Sequence, residues 1–541
     1  MAELKQRDSL SFGDALFLYL EREGMPLHIA SASIFDGEIP LEQFMRYIET
    51  KLDVVPRYRQ RVKIPPLNLG LPTWSHDPEF DVRNHIRETR LSRSTTAAFK
   101  EAAARILSQR MDHGRPLWDL TLVHGLPGNR TGLIVRVHHC LADGLAGIGL
   151  MNALMDASPA PSRTGSHPRS AAPAEGQEPS LLDSLVQSSL SAVQQLLSAH
   201  SELLSFAETL VAAPKPRDGR AQAEAVPNGT NHQSGVNLAT EFNRLLPEVA
   251  APAERLPFNI VCRGPQKFHW AEIPLAQIKA VKDACGATVN DVALATIVSA
   301  VRGYAELHRV RVRGRSLRIV VPVSVRAKED SGELGNRITF LPVTLPLDIS
   351  NPKKLIAVVR EQMTQLKNAR LAEFVGFAGT LLGTIPSPLQ ALLGPLVSQL
   401  PLSICNLIFT NVRGPETPLY LLGHKMVACY PYVPIGGEMG MNCAVLTYNG
   451  TAFFGFTGDV NAVPDLGQFE KLLAASFGEL KKSLIPTKRK RRRQRAVKPS
   501  PDQSVAGTAP VPPRVPPSSH TPSSPEDAPT QPPARHQTAV A

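Results

Sequence analysis

The spacing of apolar residues divides the chain into short helices and strands. Apolar positions recur at helical intervals around 12–23, and a strand-like run, "HIASASIFDG", follows at 28–37. Further helices are predicted around 40–52 and 95–112, with a strand at 120–126, "LTLVHGL". The next run, "LIVRVHH" (133–139), is apolar and β-branched and short enough for a buried strand. Beyond it, "DGLAGIGLMNALMD" spaces Leu145, Ile148, Leu150, Ala153 and Leu154 at roughly helical intervals, with Asp143 placed as N-cap. The pattern resumes later in the chain. "KFHWAEIPL" (267–275) alternates as a strand, "TVNDVALATIVSAVRGYAE" reads as a helix, and "LRIVVPVSV" and "ITFLPVTLPL" read as strands. Strands and helices mix without regular βαβ alternation, so the expected fold class is α/β with mixed sheets.

Two breaks in this pattern, roughly 157–180 and 214–235, are rich in Pro, Gly and small polar residues and read as linkers. Between them an apolar stripe including Leu182, Leu185, Val193, Leu196 and Leu204 predicts an amphipathic helix at about 180–212, with Ser180 as N-cap. Docking on its own protein is favoured for this helix over docking on a membrane. The chain therefore divides into an N-terminal lobe (1–156), a helix-bearing linker (157–235), a C-terminal lobe (236–485) and a tail (486–541). No tandem repeat at solenoid periods is present.

Composition adds two constraints. The formal charge of +11 is concentrated in the tail, where ten Lys/Arg stand against three Asp/Glu, a net of +7 that leaves +4 for the first 485 residues. That tail opens with "KRKRRRQR" and holds thirteen of the 48 prolines, so it is expected to be disordered. Its charge suits an anionic membrane surface, a nucleic-acid backbone or simple solvation. The six cysteines show no C-x-x-C pair, which indicates neither a zinc site nor a disulfide framework and fits a reducing cytoplasm. The N-terminus lacks the succession of a signal peptide.

The candidate chemistry lies at the end of the 133–139 strand. His138 and His139 meet the predicted helix at a sharp turn, within "HHCLADG". A lone histidine at a strand end is usually a satisfied rim residue, and an aspartate before a helix is usually a cap. The seven-residue combination is more specific. Imidazole, with an unperturbed pKa of roughly 6.5, both takes and returns a proton near neutral pH. Asp143 can brace the turn through an arginine, and Gly144 permits close backbone approach. Cys140 reads better as a small buried hydrophobe than as a nucleophile. Residues 374–412 contain no charged side chain, and prolines cut them into pieces too short to span a membrane. Such a stretch suits core, the lining of an apolar tunnel, or a membrane surface.

"HHCLADG" resembles the HHxxxDG motif of CoA-dependent acyltransferases. The chain resembles the bacterial wax ester synthase/acyl-CoA:diacylglycerol acyltransferase family over about residues 8–484. The likeness is carried also by "LSFGDALFLYLEREGMPLHI", "RPLWDL", "ATVNDVALA", "VPVSVR", "LGNRI" and "TNVRGPETPLYLLGHKM", where the family more often has "NVPGP". The resemblance implies two chloramphenicol-acetyltransferase-like lobes with a tunnel between them. It implies an acyl-CoA donor and a diacylglycerol or fatty-alcohol acceptor, with no cofactor and no metal. His139 would be the base, with His138, Asp143 and Gly144 supporting it. Asn290 and Asp291 form a family signature that could touch substrate, although Thr288-x-x-Asp291 also resembles a capping box, the reading favoured here. Peripheral contact with the inner membrane face or a lipid droplet is expected. Acyl transfer to another hydroxyl or an amine, as in condensation-type relatives, and a non-catalytic lipid-droplet role are the alternatives.

Overall fold

The computed structural model describes residues 9–53, 55–68, 70–142, 144–160, 251–324, 338–368, 385, 387–397 and 405–485. Asp143, most of the first linker, the helix expected at 180–212, the whole second linker and the tail lie outside these residues.

Two six-stranded sheets organise the described chain. The first holds β1 (His28–Asp36), β4 (Ile86–Arg90), β5 (Trp118–Leu126), β6 (Arg130–His138), β11 (Tyr420–Leu421) and β12 (His424–Tyr432) in the order β11-β12-β1-β6-β5-β4. Only the β4–β5 pair is parallel. The second holds β7 (Gln266–Pro274), β8 (Ser316–Ser324), β9 (Ile338–Pro346), β10 (Leu407–Arg413), β13 (Met441–Tyr448) and β14 (Thr451–Asp459) in the order β7-β14-β13-β10-β8-β9. Here β10 runs parallel to both its neighbours. A small hairpin joins β2 (Gln60–Lys63) to β3 (Thr73–His76). Both large sheets are mixed, as the unpatterned alternation of elements predicts.

A boundary drawn at residue 236 does not follow these sheets. β12 pairs with β1, Ala30 opposite Tyr432, so the second half of the chain completes the first sheet. β12 also packs across β13 and β14. That approach is very close: a Cβ on Gly455 would stand 1.8 Å from the Pro431 carbonyl oxygen, so only glycine fits there.

The strands β5 and β6 are buried along almost their whole length, which explains their near-continuous apolar sequence. Helices α1 (Phe12–Leu20), α2 (Leu41–Leu52), α3 (Thr96–Leu107) and α4 (Gly144–Leu154) accompany the first sheet. In the second half, α5 (Leu275–Cys285), α6 (Val289–Leu307), α7 (Pro352–Asn368) and α9 (Leu466–Leu484) pack around α6, whose Leu294, Ile297 and Val301 are fully buried. Between α7 and β10 in the chain, α8 (Ser387–Val397) lies against α1.

Two predicted helices end early for identifiable reasons. α1 stops at Leu20, because Glu21 takes an extended backbone while its N–H still donates to the Phe17 carbonyl. α3 stops at Leu107: Arg136 on β6 donates Nη1 to the Ile106 and Gln109 carbonyls at 2.7 and 2.6 Å. The same guanidinium donates Nε to Asp119 Oδ1 at 2.8 Å and pairs with the other carboxylate oxygen through Nη2. This buried pair ties the end of α3 to the start of β5 and the last residues of β6 before the turn. Satisfying the last carbonyls of a helix with a cation is favourable on both hydrogen-bond and dipole grounds.

Candidate active site

The strand β6 delivers the two motif histidines. Successive side chains on a strand point to opposite faces, so His138 and His139 face different surroundings. The His138 and His139 amides donate to the Leu117 and Leu27 carbonyls, at 2.9 and 3.0 Å, which fixes the backbone on both sides of the turn. Helix α4 begins at Gly144 as the pattern predicts.

His138 turns inward and is fully buried. Its Nδ1 accepts the Cys140 backbone N–H at 3.2 Å, so the neutral ring carries its proton on Nε2. That Nε2 stands 3.6 Å from Glu21 Oε1, too long for a good hydrogen bond but a direct electrostatic contact. Burial holds the His138 pKa below the ordinary histidine value despite the neighbouring carboxylate. On the adjacent strand, His28 sits opposite His138 in register, is equally buried, and is held well below the ordinary value mainly by desolvation. Neither ring is placed to receive a proton from a substrate.

Glu21 anchors a polar cluster behind His138. Its side chain is completely buried. Oε1 accepts the Leu27 N–H at 3.0 Å, and Oε2 accepts Arg110 Nε and Nη2 at 3.2 and 3.1 Å. His113 Nε2 lies 2.7 Å from the same Oε2. Burial pushes the carboxyl pKa up, but the contacts from His113, His138 and Leu27 outweigh it, and Glu21 stays ionised well below the usual range. Donor atoms of Glu21, His113 and His138 lie within 4.8 Å of one another, a spacing that could hold a metal ion. Arg110 already occupies the carboxylate oxygen that would bind the ion, so the cluster reads as an ion-pair network.

His139 turns the other way and is half-buried. Its ring stacks on Phe17 of α1, centroids 3.9 Å apart and planes within 5°. It lines a cavity of about 700 Å³ whose wall is almost entirely apolar. One side of the cavity comes from the first sheet and its helices, with Ile29, Leu133, Phe44, Ile48 and Met151; the other comes from the second sheet, with Val320, Ile408, Val412, Ala444 and Leu446. A histidine in an otherwise greasy wall between two sheets provides one base, excludes water, and accepts long apolar ligands.

The remaining sequence candidates fall around this centre. Asp291 closes a full capping box at the start of α6: its Oδ2 accepts the Thr288 N–H at 2.8 Å, and Thr288 Oγ1 accepts the Asp291 N–H at 3.1 Å. Neither Asn290 nor Asp291 is among the cavity-lining residues. Asn290 reaches the cavity through Asn411, a lining residue whose Nδ2 donates to Asn290 Oδ1 at 3.3 Å. Cys140 is buried, with its thiol pKa pushed well above the ordinary value by desolvation, which keeps it in the unreactive form. Of the uncharged 374–412 stretch, Cys405, Ile408, Thr410, Asn411 and Val412 line the cavity. Glu21, Arg110, His113 and Phe17 were not singled out by the sequence pattern. The only local signal was a set of ionisable residues, "EREG" and "QRMDHGRP", at the ends of apolar helices.

Two mixed sheets thus enclose an apolar cavity that one half-buried histidine faces. Residues 10–293 match the wax ester synthase/diacylglycerol acyltransferase catalytic domain, and residues 334–481 match the C-terminal domain of the same family. The chain belongs to the wax ester synthase/diacylglycerol acyltransferase family. A probable diacylglycerol O-acyltransferase of Mycobacterium tuberculosis is 28% identical over 459 residues, covering 84% of this chain and 92% of that protein. A putative diacylglycerol O-acyltransferase of Mycobacterium bovis gives the same figures. In structure, the wax ester synthase/diacylglycerol acyltransferase from Marinobacter aquaeolei superposes with a TM-score of 0.58 at 21% identity, covering 87% of this chain and 98% of that one. The first condensation domain of the calcium-dependent antibiotic synthetase superposes at 0.55 and 14% identity, covering 88% and 96%. These likenesses confirm the two-lobed mixed fold that the resemblance implies.

Proposed function

We propose that this acyltransferase moves a long-chain acyl group from acyl-CoA to the hydroxyl of diacylglycerol or a fatty alcohol, with His139 as general base. The carrying observation is the placement of His139: the imidazole lines an apolar cavity large enough for lipid chains, while His138 faces the protein interior. The imidazole takes the proton from the acceptor hydroxyl as its oxygen attacks the thioester carbonyl. When the tetrahedral intermediate collapses, the C–S bond breaks and the imidazolium returns the proton to the departing CoA thiolate. The products are an ester and free CoA, and the histidine is neutral again. No acyl-enzyme forms and no cofactor or metal enters the chemistry. His138 and Gly144 shape the turn, and Asp143 is assigned to the same supporting role. Asn290 orients Asn411 at the cavity wall, while Asp291 starts α6. Base catalysis of this kind contributes about 10²–10⁴-fold, and holding both reactants in one cavity adds proximity.

Contact with a membrane face or lipid droplet belongs to the same reading. Leu389, Leu392, Leu393 and Leu396 are exposed on α8, and Ile64 and Leu67 are exposed at the neighbouring turn. α8 packs on α1, whose Phe17 and Leu20 line the cavity. An apolar surface beside the cavity suits acceptors that reside in lipid. Among the described residues no single helix is long and apolar enough to cross a membrane. The proposed attachment is peripheral, on the inner membrane face or a lipid droplet. The basic tail would add attraction to anionic headgroups, with nucleic acid as the other polyanion it could meet.

The test is CoA release by the purified full chain given palmitoyl-CoA, with diacylglycerol and hexadecanol offered in parallel. Acceptor-dependent release with either alcohol is expected, and palmitoyl-CoA should outperform acetyl-CoA. No stimulation by either alcohol would overturn the proposed acceptor class.

A further inference from the structure

We infer that Glu21 is a positioning residue for the transfer reaction, an acceptor-only carboxylate that fixes the histidine turn and the orientation of His139. The inference rests on the assignment of His139 as base. Two links run from this side chain to the backbone around that imidazole, and a third runs from the main chain of the same residue. Through Oε1, Glu21 holds the Leu27 amide, and the Leu27 carbonyl accepts the His139 N–H at 3.0 Å. Through its own backbone N–H, Glu21 closes α1 on the Phe17 carbonyl, and the Phe17 ring stacks on His139. Through its charge, it faces the Nε2–H of His138, whose Nδ1 holds the Cys140 amide on the far side of His139. The backbone on both sides of the base therefore depends on the buried carboxylate, while the helix end that carries Phe17 is closed by the main chain of the same residue.

The chemistry of the cluster requires a carboxylate in particular. The Leu27 amide, the Arg110 guanidinium and the Nε2–H of His138 are donors, and His113 presents Nε2 to Oε2. A carboxylate offers acceptors on both oxygens. A glutamine of the same shape would turn its NH2 toward Arg110 in one orientation, or toward Leu27 and His138 in the other. Either way two donors face each other in a buried site, where an unsatisfied polar group is expensive. Arg110, His113, His138 and His28 are the titratable groups packed around this site. Arg110 balances the Glu21 charge.

The experiment compares wild type, Glu21→Ala and Glu21→Gln as full chains whose near-ultraviolet circular dichroism matches wild type. Two readouts are taken: kcat and KM for palmitoyl-CoA, and the rate at which diethyl pyrocarbonate modifies His139, located by peptide mass spectrometry. Misplacement of a reacting group by about 1 Å can cost about 100-fold, so kcat should fall on that order while KM stays within about threefold. His139 should be modified faster in both variants, because a turn that has lost its hold on Leu27 and His138 lets the ring move against Phe17. Added formate, which can occupy the space vacated in Glu21→Ala, should recover part of the lost kcat. A purely structural residue would lower stability and leave kcat per folded enzyme unchanged. If Glu21→Ala does not fold, the near-isosteric Glu21→Gln carries the same test. Folded variants with wild-type kcat and wild-type modification rate would overturn the inference. If wild-type enzyme shows no acyl transfer, the proposed function fails separately, and unchanged modification rates would still count against Glu21.

Discussion

Behind the end of β6, His138 is enclosed by Glu21, with His113 and Arg110 beyond it, whereas one residue later His139 stands half-buried against Phe17 with an apolar cavity before it. The two environments use the same side chain for opposite ends. On the inner side the Glu21 carboxylate accepts from Leu27 and Arg110, and desolvation lowers the His138 pKa toward the neutral ring. On the outer side polar groups are few, so an incoming hydroxyl finds one base and little competing water. A pair of adjacent imidazoles is thus divided between a buried support and the ring assigned as proton acceptor, because a strand sends neighbouring side chains to opposite faces.

The comparison breaks most visibly if the support is removed. Arg136→Met should destabilise the protein by about 3–5 kcal/mol, because Asp119 would be left buried without its partner. Urea unfolding monitored by circular dichroism measures this. A loss near zero would mean that Asp119 finds water and that the inner side is less dry than its 2% exposed arginine suggests.

Acid should act on the same side. Burial lowers the folded pKa values of His28 and His138 below 6.5, so the unfolded chain binds protons there that the folded chain does not. Stability from these groups is present above the unfolded value and is lost as pH falls from about 6.5 toward the lower folded values. The slope is about 1.4 kcal/mol per pH unit for each proton taken up. Glu21, with its folded pKa depressed below 4.5, adds a further loss in the same direction at lower pH. Denaturation midpoints at pH 7.5 and 5.5 should differ accordingly. Equal midpoints would show that these rings titrate normally.

The smallest effect sharpens the boundary of the site. Thr288→Ala removes one half of the capping box and should cost about 1 kcal/mol of stability, with kcat unchanged. A fall in kcat without a fall in stability would move Asp291 from capping toward the substrate.

The histidine turn was legible in sequence because it is local: an apolar strand, two histidines and a glycine opening a helix within a dozen residues. The capping box at Thr288 and Asp291 was legible for the same reason. The Glu21 cluster was not, since its members come from the end of α1, from the segment after α3 and from β6, and only tertiary packing brings them together. The β12 crossover escaped for a related reason. Nothing local marks its partner, and pairing with β1 is decided by residues nearly 400 positions away in the chain. The role of the uncharged 374–412 stretch was partly visible: absence of charge marks a surface that meets lipid or core, but which residues line the cavity depends on β10 lying beside β13.

The most direct test of the division between the two histidines is turnover of His139→Ala, with folding verified by circular dichroism and Cys140→Ala measured beside it. CoA release should fall by about 10²–10⁴-fold in the histidine variant, while the cysteine variant keeps near wild-type turnover. A folded His139→Ala enzyme that releases CoA at the wild-type rate would contradict the assignment of the base.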